Sequence, residues 1–285
     1  MKIQDALYGL GLSVAVSAAA HAAPLPIWVN NATDGAPLLQ EYDTTTGALI
    51  QQITGDGTNG RGVVDVGNTL YYTTATSNNV YAYNTATHTD LGVAFSVAGA
   101  TALSTMAYDG TNFWIGDYSG TNQAYLYTPT GTLLKTISLA NCTGHCDGLE
   151  YGQGVPSING GGGFLISNRA DEPIPGIYDV YNTNGALLDA ALITDPKNST
   201  GIAFDGTDFY VDNGGDFNPL PGSIAVYDTT GALVRTITLS GATYFDGEDL
   251  SFNYAVVLPT PEPASLTLLG TALACIGLIR RRRRL

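Results

Sequence analysis

"YDTTTGALI", residues 42 to 50, returns with small changes as "YNTATHTDL" at 83 to 91, "YTPTGTLLK" at 127 to 135, "YNTNGALLD" at 181 to 189 and "YDTTGALVR" at 227 to 235. The tyrosines that open these phrases are 41, 44, 54 and 46 residues apart. A phrase that recurs at this interval marks one supersecondary unit repeated along the chain. Its own chemistry says which unit. Alternating runs such as "GSIAVYD" (222 to 228) and "NQAYLYT" (122 to 128) lead into the phrase, and "GALVRTITL" (231 to 239) and "GTLLKTISL" (131 to 139) lead out. Alternation with period two places residues on opposite faces of a sheet, and the Thr, Asn and Gly between the runs reverse the chain, so each phrase is the bend of a β-hairpin. Gly131, Gly185 and Gly231 fall at the end of the bend, where a positive φ costs least for glycine.

A second phrase precedes the hairpin. "GVVDVGNTLYY" from Gly62, "TMAYDGTNFWI" from Thr105 and "GIAFDGTDFYV" from Gly201 align without gaps, sharing a glycine at Gly67, Gly110 and Gly206 and a large apolar residue at Leu70, Phe113 and Phe209. A further copy from Gly148 carries an insertion around Gly160 to Gly163, which lengthens its interval. Each unit therefore holds four strands in about 40 to 50 residues, the blade of a β-propeller. The expected fold is all-β, a five-bladed propeller over residues 24 to 258. Its blades are expected near 61 to 103, 104 to 146, 147 to 199 and 200 to 245. The fifth is composite: "DGEDLSFNYAVV" (246 to 257) reads as a first strand without its partners and "PLPIWVNN" (24 to 31) as a second strand without its first. Placing 246 to 258 beside 24 to 60 closes the ring and removes its open edges.

Composition agrees with strands and turns, with 35 Gly, 17 Tyr and only 13% charged residues. The formal net charge is −14. Lys2 and Arg280 to Arg284 take more than half of the 11 basic residues, leaving Arg61, Lys135, Arg169, Lys197 and Arg235 for the body. A surface so poor in Lys and Arg does not suit nucleic acid or anionic lipid. Residues 1 to 22 read as a secretory signal peptide, with Lys2, a small apolar run from Ala6 to Ala20 and Ala20-His21-Ala22 as the cleavage site. In the oxidising compartment this implies, Cys142 and Cys146 of "NCTGHC" are expected to form a local disulfide. The run is not C-x-x-C-H, and with His145 it offers too few spaced ligands for zinc.

Motif chemistry is sparse in the body. Its histidines, His88 and His145, fall in turns or between the cysteines, and no G-x-S-x-G stands near a usable His; phosphate-loop and H-E-x-x-H patterns do not occur. Carboxylates remain: Asp147 and Glu150 in "CDGLEY", Glu248 and Asp249 in "FDGEDLSF". They lie at or just before innermost strands, facing the channel mouth. Three readings stay open: turn and loop residues, ligands for Ca²⁺ together with backbone carbonyls, or an acid and base pair acting on a glycan. The loops from Asp212 and from Asn168, with Asp216, Asp171 and Glu172, are a secondary candidate surface.

The last residues are built differently. "PTPEPAS" (259 to 265) holds three prolines in five positions and reads as an extended spacer. Leu266 to Ile279 carries no charge, and with its flanks residues 264 to 280 form a short transmembrane helix. Arg280, Arg281, Arg282, Arg283 and Arg284 hold its end on the cytoplasmic side. Pro261-Glu262-Pro263, an apolar helix and a terminal Arg cluster, in that order over 259 to 285, resemble the PEP-CTERM protein-sorting domain. The resemblance implies export across the inner membrane, transient retention by the tail, and processing near Pro261-Glu262-Pro263 by an exosortase-type protease. It further implies a cell-surface or extracellular address, in a biofilm matrix, with exopolysaccharide or other surface proteins as partners. The body then reads as a structural or binding component, or alternatively as an exported Ca-dependent or carbohydrate-active enzyme using the channel carboxylates.

Overall fold

The computed structural model describes residues 25–33, 37–118, 121–143, 146–170, 175–213, 222–242 and 245–257. Four complete blades follow one another along the chain. They comprise β4 (Gly60–Val66), β5 (Thr69–Thr74), β6 (Asn79–Asn84) and β7 (Thr89–Ser96), then β8 (Leu103–Tyr108), β9 (Phe113–Asp117), β10 (Gln123–Tyr127) and β11 (Leu133–Ser138). Next come β12 (Leu149–Gly152), β13 (Phe164–Asn168), β14 (Gly176–Asn182) and β15 (Leu187–Asp195), then β16 (Ile202–Phe204), β17 (Asp208–Asn213), β18 (Ser223–Asp228) and β19 (Leu233–Thr238). The fifth sheet joins the two ends of the body: β20 (Gly247–Ser251) supplies the innermost strand to β1 (Pro26–Asn31), β2 (Leu39–Asp43) and β3 (Leu49–Ile53). Antiparallel pairing of Trp28 with Ser251, Val29 with Leu250 and Asn30 with Asp249 closes the ring as the sequence predicts.

The recurring phrase owes its residues to a shared bend. In every blade the outer hairpin has a bulge at the repeat tyrosine, between Glu41 and Tyr42, Ala82 and Tyr83, Leu126 and Tyr127, Val180 and Tyr181, and Val226 and Tyr227. A turn closed by a left-handed residue and a bulge twists the chain back onto the sheet. The residue after the tyrosine, Asp or Asn in four blades and Thr128 in the other, holds that turn: Asp43 Oδ1 accepts from the backbone N–H groups of Thr45 and Thr46 at 2.8 and 2.7 Å, Asp228 Oδ1 from those of Thr230 and Ala232 at 2.8 and 3.1 Å, and Thr128 Oγ1 from that of Thr132 at 3.0 Å. The tyrosine itself turns inward; Tyr42, Tyr127, Tyr181 and Tyr227 are all buried.

Apolar cores lie between blades rather than within them. Phe164 meets Phe204 and Phe209 across the third and fourth blades, and Tyr210 meets Phe252 across the fourth blade and the closing sheet. The inserted segment between β12 and β13 packs Val155 and Ile158 into the first of these. Neighbouring blades also interlock through the hairpin glycines. A Cβ on Gly231 would lie 1.8 Å from the carbonyl oxygen of Leu192, one on Gly47 2.0 Å from that of Thr238 and one on Gly185 2.8 Å from that of Ser138. Lys135 Nζ donates to the carbonyl of Thr183, and Arg235 Nη1 to that of Thr44, each spanning to the next blade's hairpin.

Candidate functional site

The five innermost strands touch in ring order β4, β8, β12, β16, β20 and back to β4. Their aligned sequences stack in layers along the axis. One layer is Gly62, Thr105, Gly148, Gly201 and Asp249. Three glycines let the strands approach closely: a Cβ on Gly62 would lie 2.7 Å from the Met106 nitrogen, one on Gly148 1.8 Å from the Thr200 oxygen, and one on Gly201 2.6 Å from the Asp249 Cα. The room they leave is filled by Asp249. Its Oδ2 accepts from the backbone N–H groups of Val63 and Met106 at 3.3 and 3.0 Å and from Thr105 Oγ1 at 2.9 Å, and its Oδ1 accepts from the Leu250 N–H at 3.0 Å. Thr105 Oγ1 in turn accepts from the Leu149 N–H at 2.6 Å. The carboxylate thus joins strands of three blades, and Thr105 extends the link to a fourth. Burial raises its pKa well above the usual value, against the pull of these donors.

The preceding layer forms the mouth of the axis: Arg61, Ser104, Asp147, Thr200 and Glu248. Ser104 Oγ and Thr200 Oγ1 donate to the carbonyls of Cys146 and Gly247 in the next blade, at 3.0 and 2.9 Å. Arg61 is 6% exposed, and its Nη1 lies 3.3 Å from Asp147 Oδ2 and 2.5 Å from Glu248 Oε2. Its Nη2 donates to the Tyr118 hydroxyl at 3.1 Å while the guanidinium stacks 4.4 Å from that ring's centre. A buried cation between two buried anions is a costly arrangement whose members depend on one another. Of the four carboxylates that the sequence places at the mouth, Asp249 lies one layer further in and Glu150 further still, against Tyr254, whereas Asp147 and Glu248 are therefore partners of an arginine that motif reading passes over. The signal for it is present: in the aligned inner strands Arg61 shares one position with Asp147 and Glu248.

The opposite end is closed by the chain's own C-terminal side. Asn253 Oδ1 accepts from the Gly67 N–H at 3.0 Å and its Nδ2 donates to the Gly67 carbonyl at 2.8 Å. The same Oδ1 accepts from the Ala255 N–H, capping the single turn α1 (Tyr254–Val257). The sequence predicts a strand throughout 246 to 257; the helical turn replaces its end because Asn253 satisfies the freed N–H. Tyr254 enters the axis, packs edge-on against Tyr108 and donates its hydroxyl to Glu150 Oε1. Glu150 Oε1 also accepts from the Tyr151 N–H at 2.8 Å. Burial, with Asp249 nearby, holds the Glu150 carboxyl well above its ordinary pKa.

Asp212 is not a surface loop residue but a buried one at the end of β17, where its Oδ1 accepts from the Thr200 and Gly201 N–H groups at 3.0 and 2.9 Å. Burial pushes its pKa up to about 8, with Asp246 and Asp195 adding to the rise. Cys142 and Cys146 are joined in a disulfide with Cα atoms 5.6 Å apart. His145, Asp171, Glu172 and Asp216 lie outside the described residues, as do the signal segment 1 to 22, Pro261-Glu262-Pro263, the helix 264 to 280 and Arg280 to Arg284. Among the described residues no helix is long and apolar enough to cross a membrane. No group of three or more His, Cys, Asp or Glu among them is arranged to hold a metal ion. A divalent cation at the mouth would have to displace the Arg61 guanidinium, which already meets Asp147 and Glu248.

The PEP-CTERM protein-sorting motif matches residues 259–284. No curated protein matches the chain. Among solved structures the chain is similar to one from a nidogen/laminin complex at 8% identity and a TM-score of 0.51, covering 80% of this chain and 97% of that one. It is also similar to the Dos1 propeller, at 12% identity, a TM-score of 0.42 and coverage of 76% and 60%. Hydrazine synthase of Kuenenia stuttgartiensis matches at 12% identity, a TM-score of 0.41 and coverage of 74% and 62%. Likeness at these identities concerns the propeller fold alone. The chain thus carries a five-bladed propeller body and a PEP-CTERM sorting motif, and the motif implies export and processing by an exosortase-type system.

Proposed function

We propose that this is a surface or extracellular-matrix protein whose propeller body serves a structural or binding role without chemistry of its own. The signal segment sends it across the inner membrane, the tail holds it there, and cleavage near Pro261-Glu262-Pro263 releases it. The observation that carries this reading is the sorting motif at 259–284. What the carboxylates do supports the role given to the body. Asp147 and Glu248 meet Arg61, Glu150 accepts from Tyr254, and Asp249 accepts from the innermost strands of two other blades, so each is engaged by the fold. A glycosidase needs one carboxyl free to protonate the leaving group and another facing the sugar or a water.

Replacing Pro261, Glu262 and Pro263 by alanine, in a host with an exosortase-type protease, should leave an uncleaved, membrane-retained chain. Release of a body of unchanged mass would overturn the sorting reading. For the body, calorimetry with Ca²⁺ and with acidic exopolysaccharide separates binding from catalysis. Heat with the polysaccharide alone fits a matrix component. Calcium binding or glycan hydrolysis that disappears in Glu248→Gln would replace this reading with that of an exported Ca-dependent or carbohydrate-active enzyme.

A further inference from the structure

Strand direction sorts the connections into two faces. Innermost strands run from the Arg61 mouth toward Tyr254, so the β4–β5, β8–β9, β12–β13 and β16–β17 connections share a face with the outer hairpins. The β5–β6 connection and those between blades lie on the other. The body's described chain ends on the first face and at its centre. Asn253 is held by both backbone groups of Gly67, Tyr254 fills the axis against Glu150 and Tyr108, and Val257 packs beside the cores next to β4 and β20. This is where the sorting tail must leave.

We infer that the face carrying Gly67, Gly110 and Gly206 is held toward the membrane while the tail is anchored, and that the Arg61 mouth is turned away from it. The inference rests on reading 259 to 285 as a membrane-held sorting tail. Eight residues, 258 to 265, separate Val257 from the apolar run at Leu266, a connection that can reach no more than about 32 Å. A compact body of about 230 residues has a radius of gyration near 17 Å and a surface radius of about 22 Å. From the centre of one face the chain would need about 35 Å merely to reach the equator, by the same dimensions. The tether is too short to let the body turn over. Pro261, four residues beyond Val257, stays within about 14 Å of the exit face, so the processing protease must work in the gap between that face and the lipid. The opposite face remains open to partners before release.

The full chain with Cys275→Ala and the Cys142–Cys146 disulfide intact accepts single cysteine probes on exposed turns. Thr111→Cys and Thr207→Cys lie on the exit face, and Thr76→Cys on the opposite face. In vesicles of phosphatidylethanolamine and phosphatidylglycerol with a headgroup acceptor dye, energy transfer from the first two sites should exceed that from Thr76→Cys at least about twofold, given these dimensions. Inserting about twenty Gly and Ser residues after Val257 adds about 25 Å of flexible reach and leaves the body untouched, so it should collapse the difference. Equal transfer from all three sites without the insertion would overturn the fixed orientation. A full chain that fails to float with the vesicles would instead remove the membrane-held tail, and the inference with it.

Discussion

Gly231 shows how two demands meet at one residue. Its φ of +80° places it in the left-handed region, and a Cβ there would strike the Leu192 carbonyl of the preceding blade. Gly67 has a φ of +69°, but a Cβ there would have no neighbour within 4 Å. Gly67→Ala should therefore cost about 1 kcal/mol of backbone strain, and Gly231→Ala about 2–4 kcal/mol, because overpacking adds to strain. Denaturant midpoints of the two variants test this; equal losses would mean that the blade contact contributes nothing. The sequence displays the turn requirement, since Gly follows Thr or Asn in a hairpin, but not the contact, which depends on the neighbouring blade. His88 stands at the equivalent position with a φ of +53°, and it is exposed as its place in a turn suggests.

Among the elements, the innermost strands depend most on one another and the outermost least. Asp249→Ala would leave the buried N–H groups of Val63, Met106 and Leu250 without their acceptor, a loss of about 3–5 kcal/mol. Asp249→Asn keeps one carbonyl oxygen for the Oδ2 donors and should lose only about 1–2 kcal/mol, the value of the bond from Leu250. Comparable loss in both variants, measured by urea unfolding, would argue against the role of Asp249 as a shared acceptor. Outer strands depart from the alternation read in the sequence. Leu233 and Val234 are both exposed in β19, as are Leu133 and Leu134 in β11, and only the later Ile237 and Ile137 are buried. In their first halves only the long side chains of Lys135 and Arg235 reach the next blade's hairpin, and the leucines and valine beside them stay exposed. Lys135, Asp189 and Arg235 place charge on these edge strands, which discourages pairing with another chain.

Taken as a whole, the molecule holds several carboxyl groups out of water, and this sets its response to pH. Burial raises the pKa of Asp65 from 3.8 to about 7, with Glu41 adding repulsion, and that of Asp212 from 3.8 to about 8. A carboxyl whose pKa rises on folding contributes its stability fully below the unfolded value, and that contribution is lost as pH climbs through the folded value. For Asp65 the window runs from about pH 4 to 7 and for Asp212 from about pH 4 to 8; Glu150 and Asp249 shift in the same direction. Turn carboxylates act oppositely. Backbone N–H groups lower the pKa of Asp43, and chiefly the Thr230 hydroxyl that of Asp228, so their contribution falls away only below about pH 4. The melting temperature should therefore decline from pH 5 to pH 8, and Asp212→Asn should flatten the upper part of that decline. A melting temperature that rises over this interval would contradict the burial argument.

What the chain's own sequence determined is whatever repeats or lies contiguous within it. The hairpin phrase, the inner-strand phrase, their interval, the Cys142–Cys146 pair and the succession of motifs in the tail are local patterns, and the closing blade follows from where the repeat is left incomplete at residues 24 and 257. Tertiary structure decided what meets at the axis. Arg61 reaches Asp147 across 86 residues, Asp249 accepts from Val63 across 186, and Tyr254 donates to Glu150 across 104. The aligned inner strands show that Arg61, Asp147 and Glu248 share a position, but the repeat does not say which side chains meet, because each contact is made once. The carboxylates were visible in the sequence as charge. That they serve the closure of the ring became visible only when the innermost strands met around Arg61 and Asp249.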